Sequence, residues 1–302
     1  MSDIETRCGF VAIVGAPNAG KSTLVNQMVG TKVSIVSPKV QTTRSRVLGI
    51  AMREDLGAQV IFIDTPGIFQ PKRRLERAMV QAAWSGAADA DLVAVVIDAE
   101  RGFDDNSRSI VERLKEAGRR GVVVLNKIDL VKRDSLLALA AEADAAGLFD
   151  RVFMVSARTG DGTGDLLTYF AGLLPPGPWH FPEDQVSDMP MRLLAAEITR
   201  EQVFLQLHQE LPYAVTVETE QWQERDDGSV RIDQVIYVLR ESQKGIVLGK
   251  AGRQIKAIGE RARTELEGIL EHRVHLFLHV KVQENWSDDR QHYRDLGLEF
   301  DV

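Results

Sequence analysis

The run Gly15-Ala16-Pro17-Asn18-Ala19-Gly20-Lys21-Ser22 holds the residue types that phosphate chemistry needs, at the spacing it needs them. The glycines let backbone N–H groups wrap an anion, and Lys21 reaches its outer oxygens. Ser22 and Thr23 open a helix whose N-terminus is positive. The Ser22 hydroxyl is also a ligand for a divalent cation such as Mg²⁺. A loop of this kind serves ATPases, kinases and GTPases alike, so other residues must choose among them. Asn126-Lys127-Ile128-Asp129 makes that choice. A carboxylate at Asp129 accepts two hydrogen bonds from the N1 and N2 edge of guanine. Adenine offers neither donor and leaves the carboxylate unpaired, a difference worth ~10⁴ in discrimination. Asn126 is suited to bracing neighbouring loops, and the Lys127 stem to covering the base plane.

Three further clusters complete a pocket for GTP or GDP. In Asp64-Thr65-Pro66-Gly67-Ile68, Asp64 acts on Mg²⁺ through water and the Gly67 N–H senses the γ-phosphate. In Gln41-Thr42-Thr43-Arg44, one hydroxyl joins Mg²⁺ only in the triphosphate state. Thr43 is the first choice for it and Thr42 the second. Ser156-Ala157-Arg158 supports the base from its other side. Lys21, Thr43 and Gly67 are therefore the catalytic candidates, and Ser22, Thr43 and Asp64 the Mg²⁺ candidates.

These residues need elements that place them together. Apolar runs at Phe10-Val14, Val60-Ile63, Leu92-Ile97, Val122-Leu125 and Val152-Val155 are continuous, as in strands buried on both faces of a mainly parallel sheet. Helical stretches such as Thr23-Val29 and Asp104-Ala117 alternate with them, the rhythm of an open α/β sheet. Each run ends at Gly15, Asp64, Asp98, Asn126 or Ser156, and ligands of such sheets bind beyond the carboxyl ends of the strands.

Bulk composition narrows the class. The chain has 302 residues, 44% of them hydrophobic and 27% charged, enough for two compact domains. A net charge of -7 confines any nucleic-acid or membrane patch to a local area. The single cysteine, Cys8, excludes an internal disulfide and suits a reducing compartment; a small buried residue is expected there. No apolar run reaches the ~18 residues of a membrane span, and the opening MSDIETRCGF has no signal layout, so a cytoplasmic protein is expected.

Half of the ten prolines fall between Leu173 and Pro190, marking a linker. The expected division is residues 1–174 for the nucleotide domain, 175–190 for the linker, 191–286 for a second domain and 287–302 for a tail. The second half reads as a helix from Met191 to Glu210, strands near Val215-Trp222 and Val230-Leu239, and a short helix Gly245-Leu248. A longer helix with Ile255, Ile258, Ala262, Leu266 and Ile269 on one face follows, and a last strand Val274-Val282. From Glu183 onward 15 basic residues face 23 acidic ones, yet Arg240-Arg263 carries seven basic against two acidic. That strip surrounds Gly249-Lys250-Ala251-Gly252, and a basic strip in an acidic domain is the footprint of a confined RNA groove. Lys244, Gly249, Lys250, Ala251, Gly252, Arg253 and Lys256 are the RNA-binding candidates. His275 and His279 sit four strand residues apart, ~13 Å, too far to share a metal. Trp179, Trp222 and Trp286 read as packing residues.

The ordered nucleotide motifs resemble the translation-factor class of Ras-like GTPases. With the element order around the GxxG loop, which resembles a type II KH domain, nearly the whole chain resembles the Era family. The resemblance implies a Ras-like P-loop domain followed by an α+β KH domain. It further implies a GTP-hydrolysing switch that binds single-stranded RNA near the 3′ end of 16S rRNA during 30S ribosomal subunit biogenesis. Peripheral association with the inner membrane and a monomeric state belong to the same expectation. In Ras-like relatives a glutamine often follows the DxxG glycine, whereas Ile68 stands here and cannot orient water. Some relatives with an asparagine at the Asn18 position bind K⁺ near the phosphates, which raises K⁺ assistance as a hypothesis. The competing readings are a constitutive RNA-binding protein with a structural nucleotide site, and a GTPase in tRNA modification.

Overall fold

A computed structural model describes residues 5–207 and 211–302. Its chain divides into two compact units. The first comprises the described residues through Ser34, Thr43–Asp188 and Arg294–Val302; the second comprises Ile35–Thr42 and Met189–Tyr293.

In the first unit, strands and helices alternate: β1 (Arg7–Gly15), α1 (Lys21–Val29), β2 (Val47–Arg53), β3 (Ala58–Asp64), α2 (Arg74–Asp89) and β4 (Leu92–Asp98). They continue as α3 (Asp105–Glu116), β5 (Gly121–Asn126), α4 (Arg133–Ala145), β6 (Phe149–Val155) and α5 (Thr163–Leu173). The sheet order is β2-β3-β1-β4-β5-β6, and every neighbouring pair is parallel except β2 with β3. Successive β1 side chains alternate between two cores. Val11 and Ile13 pack with Leu24, Phe62 and Phe170 on one face, and Ala12 and Val14 with Ile97, Ile110 and Val123 on the other. Helices on both faces explain why the central strands are uninterrupted apolar runs.

β2 is absent from the sequence reading because VLGIAMR lacks a clean period and sits at the sheet edge. Its outer side is bridged by the chain near Ser187, with Ile50 N donating to Val186 O at 2.9 Å. The proline-rich stretch is held by side chains as well. Trp179 Nε1 donates to Gly57 O at 3.0 Å, and Gln59 receives the His180 and Phe181 amides at 2.9 and 3.0 Å. Cys8 is buried beside Gln59.

The second unit carries α6 (Met191–Gln206), β7 (Val215–Glu224), β8 (Val230–Val238), α7 (Glu241–Leu248), α8 (Arg253–Leu270) and β9 (Val274–Val282). β7 pairs antiparallel and β9 parallel with β8. α6 ends at Gln206, short of the expected Glu210, which lies outside the described residues along with 208 and 209. α7 starts at Glu241 rather than Gly245, because Gln243 Oε1 accepts from the Leu239 and Arg240 amides and closes the helix start. α8 buries Ile258, Ala262 and Leu266 as its period requires. Ile35 packs with Leu194, Ile198 and Leu266, and Glu201 accepts from the Val36 amide at 2.6 Å, so Ile35 joins this unit's core and anchors the segment Ile35–Thr42 to it. Trp286 is buried and donates to Ala214 O at 3.1 Å, and Trp222 packs against the core.

Candidate functional site

The carboxyl ends of β1, β3, β5 and β6 deliver four loops to one edge of the first unit's sheet. β1 ends at Gly15, and the chain turns through Asn18 at φ 64° and Gly20 at φ 93° before α1 begins at Lys21. Asn18 is a rare non-glycine in the left-handed region, a strained conformation of the kind that collects at ligand sites. Lys21 is 6% exposed and donates to Gly15 O at 3.1 Å and Ala16 O at 3.0 Å. Burial pushes its amine down to about 8, against the opposing pull of Asp64.

Asp64 closes β3 and is fully buried. Burial raises its carboxyl above the ordinary range, partly offset by the Ser22 hydroxyl, the Lys21 charge and the Ser34 hydroxyl. Even so, neither carboxylate oxygen has a hydrogen-bond partner of good geometry. A buried anion left so short of donors is built for a partner of positive charge. Ser22 Oγ lies 2.8 Å from Thr43 Oγ1. Thr42, the second choice, instead bonds Ser37 Oγ at 2.6 Å and Lys39 O at 2.7 Å. Two hydroxyls and an unsatisfied carboxylate form an all-oxygen donor set of the type that suits Mg²⁺.

Thr65 is buried, with its hydroxyl on Ile13 O at 2.7 Å. Pro66 is buried too, and the Ile68 amide donates to Gly15 O at 3.1 Å. A Cβ on Gly67 would meet Pro17 Cα at 2.9 Å, so only glycine lets the two loops approach this closely. Ile68 packs in the core with Phe103 and Ile97, an apolar placement that removes it from any water-orienting role.

The base end is tied together by Asn126. Its Nδ2 donates to Ala19 O at 2.8 Å, and its Oδ1 accepts from the Ala157 amide at 2.9 Å. One buried side chain thus joins the Gly15–Ser22 loop to the Ser156–Arg158 loop. Ser156 Oγ donates to one oxygen of Asp129 at 2.7 Å, and Asp129 itself is exposed on the short turn Ile128–Leu130. Lys127 takes the left-handed conformation at φ 66°, and its amine pairs with Asp98 at 2.5 Å. The sequence marked Asp98 only as a strand end; the Lys127 partnership had no local signal. Thr23 lies half-buried in the first turn of α1, and Arg158 is exposed.

In the second unit the glycine loop joins α7 to α8. Gly249 and Gly252 both take positive φ, 70° and 74°, and Ala251 joins them at φ 54°. A Cβ on Gly249 would meet Gln254 Cβ at 2.6 Å. Lys250, Ala251 and Arg253 are exposed there. Lys244 and Lys256 lie in loose ion pairs with Glu241 and Glu260, each at 3.9 Å. His275 and His279 project from the β9 face opposite Val274, and among the described residues no group of metal-ligating side chains is assembled.

Known proteins match this arrangement at two levels. A family described as a 50S ribosome-binding GTPase matches residues 10–127, and a KH-domain family matches residues 210–287. The chain is 61% identical to a protein named GTPase Era from Mesorhizobium japonicum, across 99% of this chain and 98% of the relative. A GTPase Era from Brucella suis biovar 1 is 60% identical, across 98% and 94%. A crystal structure of Era with MgGDPNP and nucleotides 1506–1542 of 16S ribosomal RNA superposes with a TM-score of 0.92 at 39% identity, covering 97% of this chain and 99% of that one. A crystal structure of a single-residue variant of Aquifex aeolicus Era bound to GDP·AlF4⁻ superposes with a TM-score of 0.91, also at 39% identity and with the same coverage.

Proposed function

The chain belongs to the Era family of GTPases, a Ras-like GTPase domain with a KH domain, and from that premise we propose a GTP-driven switch that binds single-stranded RNA near the 3′ end of 16S rRNA. The observation that carries the nucleotide half is Asn126. It holds Ala19 O and the Ala157 amide together, and Ser156 beside Ala157 bonds Asp129, which supports reading Asp129 and the Gly15–Ser22 loop as two ends of one pocket. In this reading residues 15–23, 64–68, 126–129 and 156–158 bind GTP, within residues 1–174. Lys21 leaves the loop carbonyls for the phosphates, which neutralises a cation that burial disfavours. The Gly67 amide, pressed against Pro17, reads the γ-phosphate.

Ser22, Thr43 and Asp64 would hold Mg²⁺, and the donor set fits it. Bound there, the ion neutralises charge on the phosphate oxygens during transfer of the γ-phosphoryl group to water. Ile68 orients no water, so K⁺ near Asn18 is the candidate for assisting hydrolysis in another way. Turnover is then faster in potassium than in sodium buffer, and equal rates remove the ion from the account.

For the RNA half, a relative's structure with a 16S fragment supports the reading, as does a loop whose conformation demands Gly249 and Gly252. Lys244, Lys250, Arg253 and Lys256 supply the charge, within residues 191–286; residues 175–190 are the joint and 287–302 the tail. The 30S subunit is the proposed assembly partner, and the protein acts as a cytoplasmic monomer. Among the described residues no helix is long and apolar enough to cross a membrane, so any membrane contact through these helices is peripheral.

Filter binding of an oligonucleotide copying the 16S 3′ end, with GTP and ATP hydrolysis measured alongside, tests the proposal. Replacing Gly249 and Gly252 together by Asp should abolish RNA capture and leave basal GTP hydrolysis intact. A chain that captures RNA without hydrolysing GTP under any condition would instead be a constitutive binder.

A further inference from the structure

α2 and α3 of the first unit enclose a groove of about 640 Å³, a size that accommodates a ligand or a short peptide. None of its lining residues belongs to the nucleotide or RNA sites. Val80, Trp84 and Leu114 form an apolar floor; Arg77, Arg113 and Arg119 line it as well, and no acidic residue does. The partners shown for the three arginines are backbone oxygens and a ring: Val302 O for Arg77, the Ala87 and Ala90 carbonyls for Arg119, and the Trp84 ring for Arg113. Arg119 donates through Nη2 to the Ala87 and Ala90 carbonyls, while its Nε is buried with no acceptor. Three guanidinium groups without an acidic side chain beside them, in a chain of net charge -7, mark a site for an anionic occupant.

The chain's own tail shows what this face of α2 accepts. Gln81 Nε2 donates to Glu299 at 2.9 Å, Arg77 Nε donates to Val302 O at 3.2 Å, and the Arg74 guanidinium lies 4.5 Å over the Phe300 ring. Gln81 and Arg77 line the groove as well, so the groove continues an interface that already holds an acidic and aromatic segment.

We propose that the α2–α3 groove docks an acidic peptide segment of a partner protein, with carboxylates on Arg113 and Arg119 and an apolar side chain on the floor. Single-stranded RNA fits less well. The Arg113 guanidinium already covers the Trp84 ring at 4.3 Å, which leaves no open aromatic face for a base to stack on. Arginine also suits carboxylates through its bidentate fork.

The test uses the full chain loaded with GDP and a fluorescein-labelled peptide, acetyl-Glu-Asp-Leu-Phe-Asp-Glu-amide, read by anisotropy. The peptide should bind, a version with lysine at each acidic position should not, and Arg113→Glu should weaken binding about tenfold or more. Arg113 is exposed, and unchanged GTP hydrolysis in the variant reports an intact fold. Failure of the acidic peptide to bind, or equal binding by Arg113→Glu, overturns the proposal. It also falls if a uridine dodecamer, tested on chains carrying Gly249→Asp and Gly252→Asp, binds in an Arg113-dependent way while the peptide does not.

Discussion

At the scale of single residues, the nucleotide site holds a charge that is costly to the protein without its ligand. The drop of the Lys21 amine from 10.5 to about 8 corresponds to about 3 kcal/mol of disfavoured ionisation. Its folded value lies below its unfolded value, so the unfolded chain binds more protons between about 8 and 10.5. Stability of the nucleotide-free protein should therefore rise with pH across that window, with the penalty fully present below it. Urea titrations at several pH values check this; a Lys21→Met variant should be flatter there and more stable at neutral pH. The same variant should lose GTP binding if Lys21 holds the phosphates as proposed. Asp129 makes the complementary case. Ser156 occupies one of its oxygens, and Asp129→Asn would replace an acceptor by a donor. We expect GTP affinity to fall by about 10³ or more and preference to turn to xanthosine triphosphate, whose carbonyl at carbon two accepts that donor. Competition against a fluorescent nucleotide reads both.

At the scale of elements, the glycine loops are defined by what they exclude. Gly67→Ala sets a Cβ 2.9 Å from Pro17 Cα, a clash against backbone. Residues 64–68 must then retreat from the Gly15–Ser22 loop, and the γ-phosphate would lose the reader proposed for it. Affinity for the triphosphate should fall about tenfold or more while GDP affinity changes little, measured by titration of both nucleotides. Much of this was legible before the fold. Four buried strands, the loops at the strands' carboxyl ends and the helix–strand order around Gly249–Gly252 follow from apolar continuity and fixed spacing; the fifth run, β6, lies at the sheet edge and buries only Val155 fully, so its apolar continuity overstated its burial. β2 was not legible, because an edge strand pairs on one side and needs no strong pattern. Nor was α4, whose alanine-rich stretch carries little hydrophobic contrast. The start of α7 depends on Gln243 folding back onto two amides, which no period announces. Asp98 escaped for a similar reason: its partner Lys127 is distant in sequence.

At the scale of the whole molecule, the division of the chain is less simple than a linker between two blocks. Ile35–Thr42 belongs to the second unit although it lies within the expected nucleotide domain, and Arg294–Val302, expected as part of a separate tail, belongs to the first. These memberships rest on long-range contacts, such as Glu201 with Val36 and Arg77 with Val302, that only the folded chain displays. The segment directly before Thr43 is thus anchored by α6, where Arg200, 1% exposed and paired with Glu197, also donates to Thr42 O at 2.6 Å. Arg200→Ala should destabilise the second unit by about 3 kcal/mol, visible as an earlier thermal transition. Reciprocal energetics follow if GTP and RNA share these segments, for whatever one ligand does to the other's affinity is returned in equal measure. The most direct measurement is the dissociation constant of the 16S 3′-end oligonucleotide for the chain loaded with GDP and with a non-hydrolysable GTP analogue. The switch account requires the two constants to differ by about fivefold or more, and identical constants would contradict it.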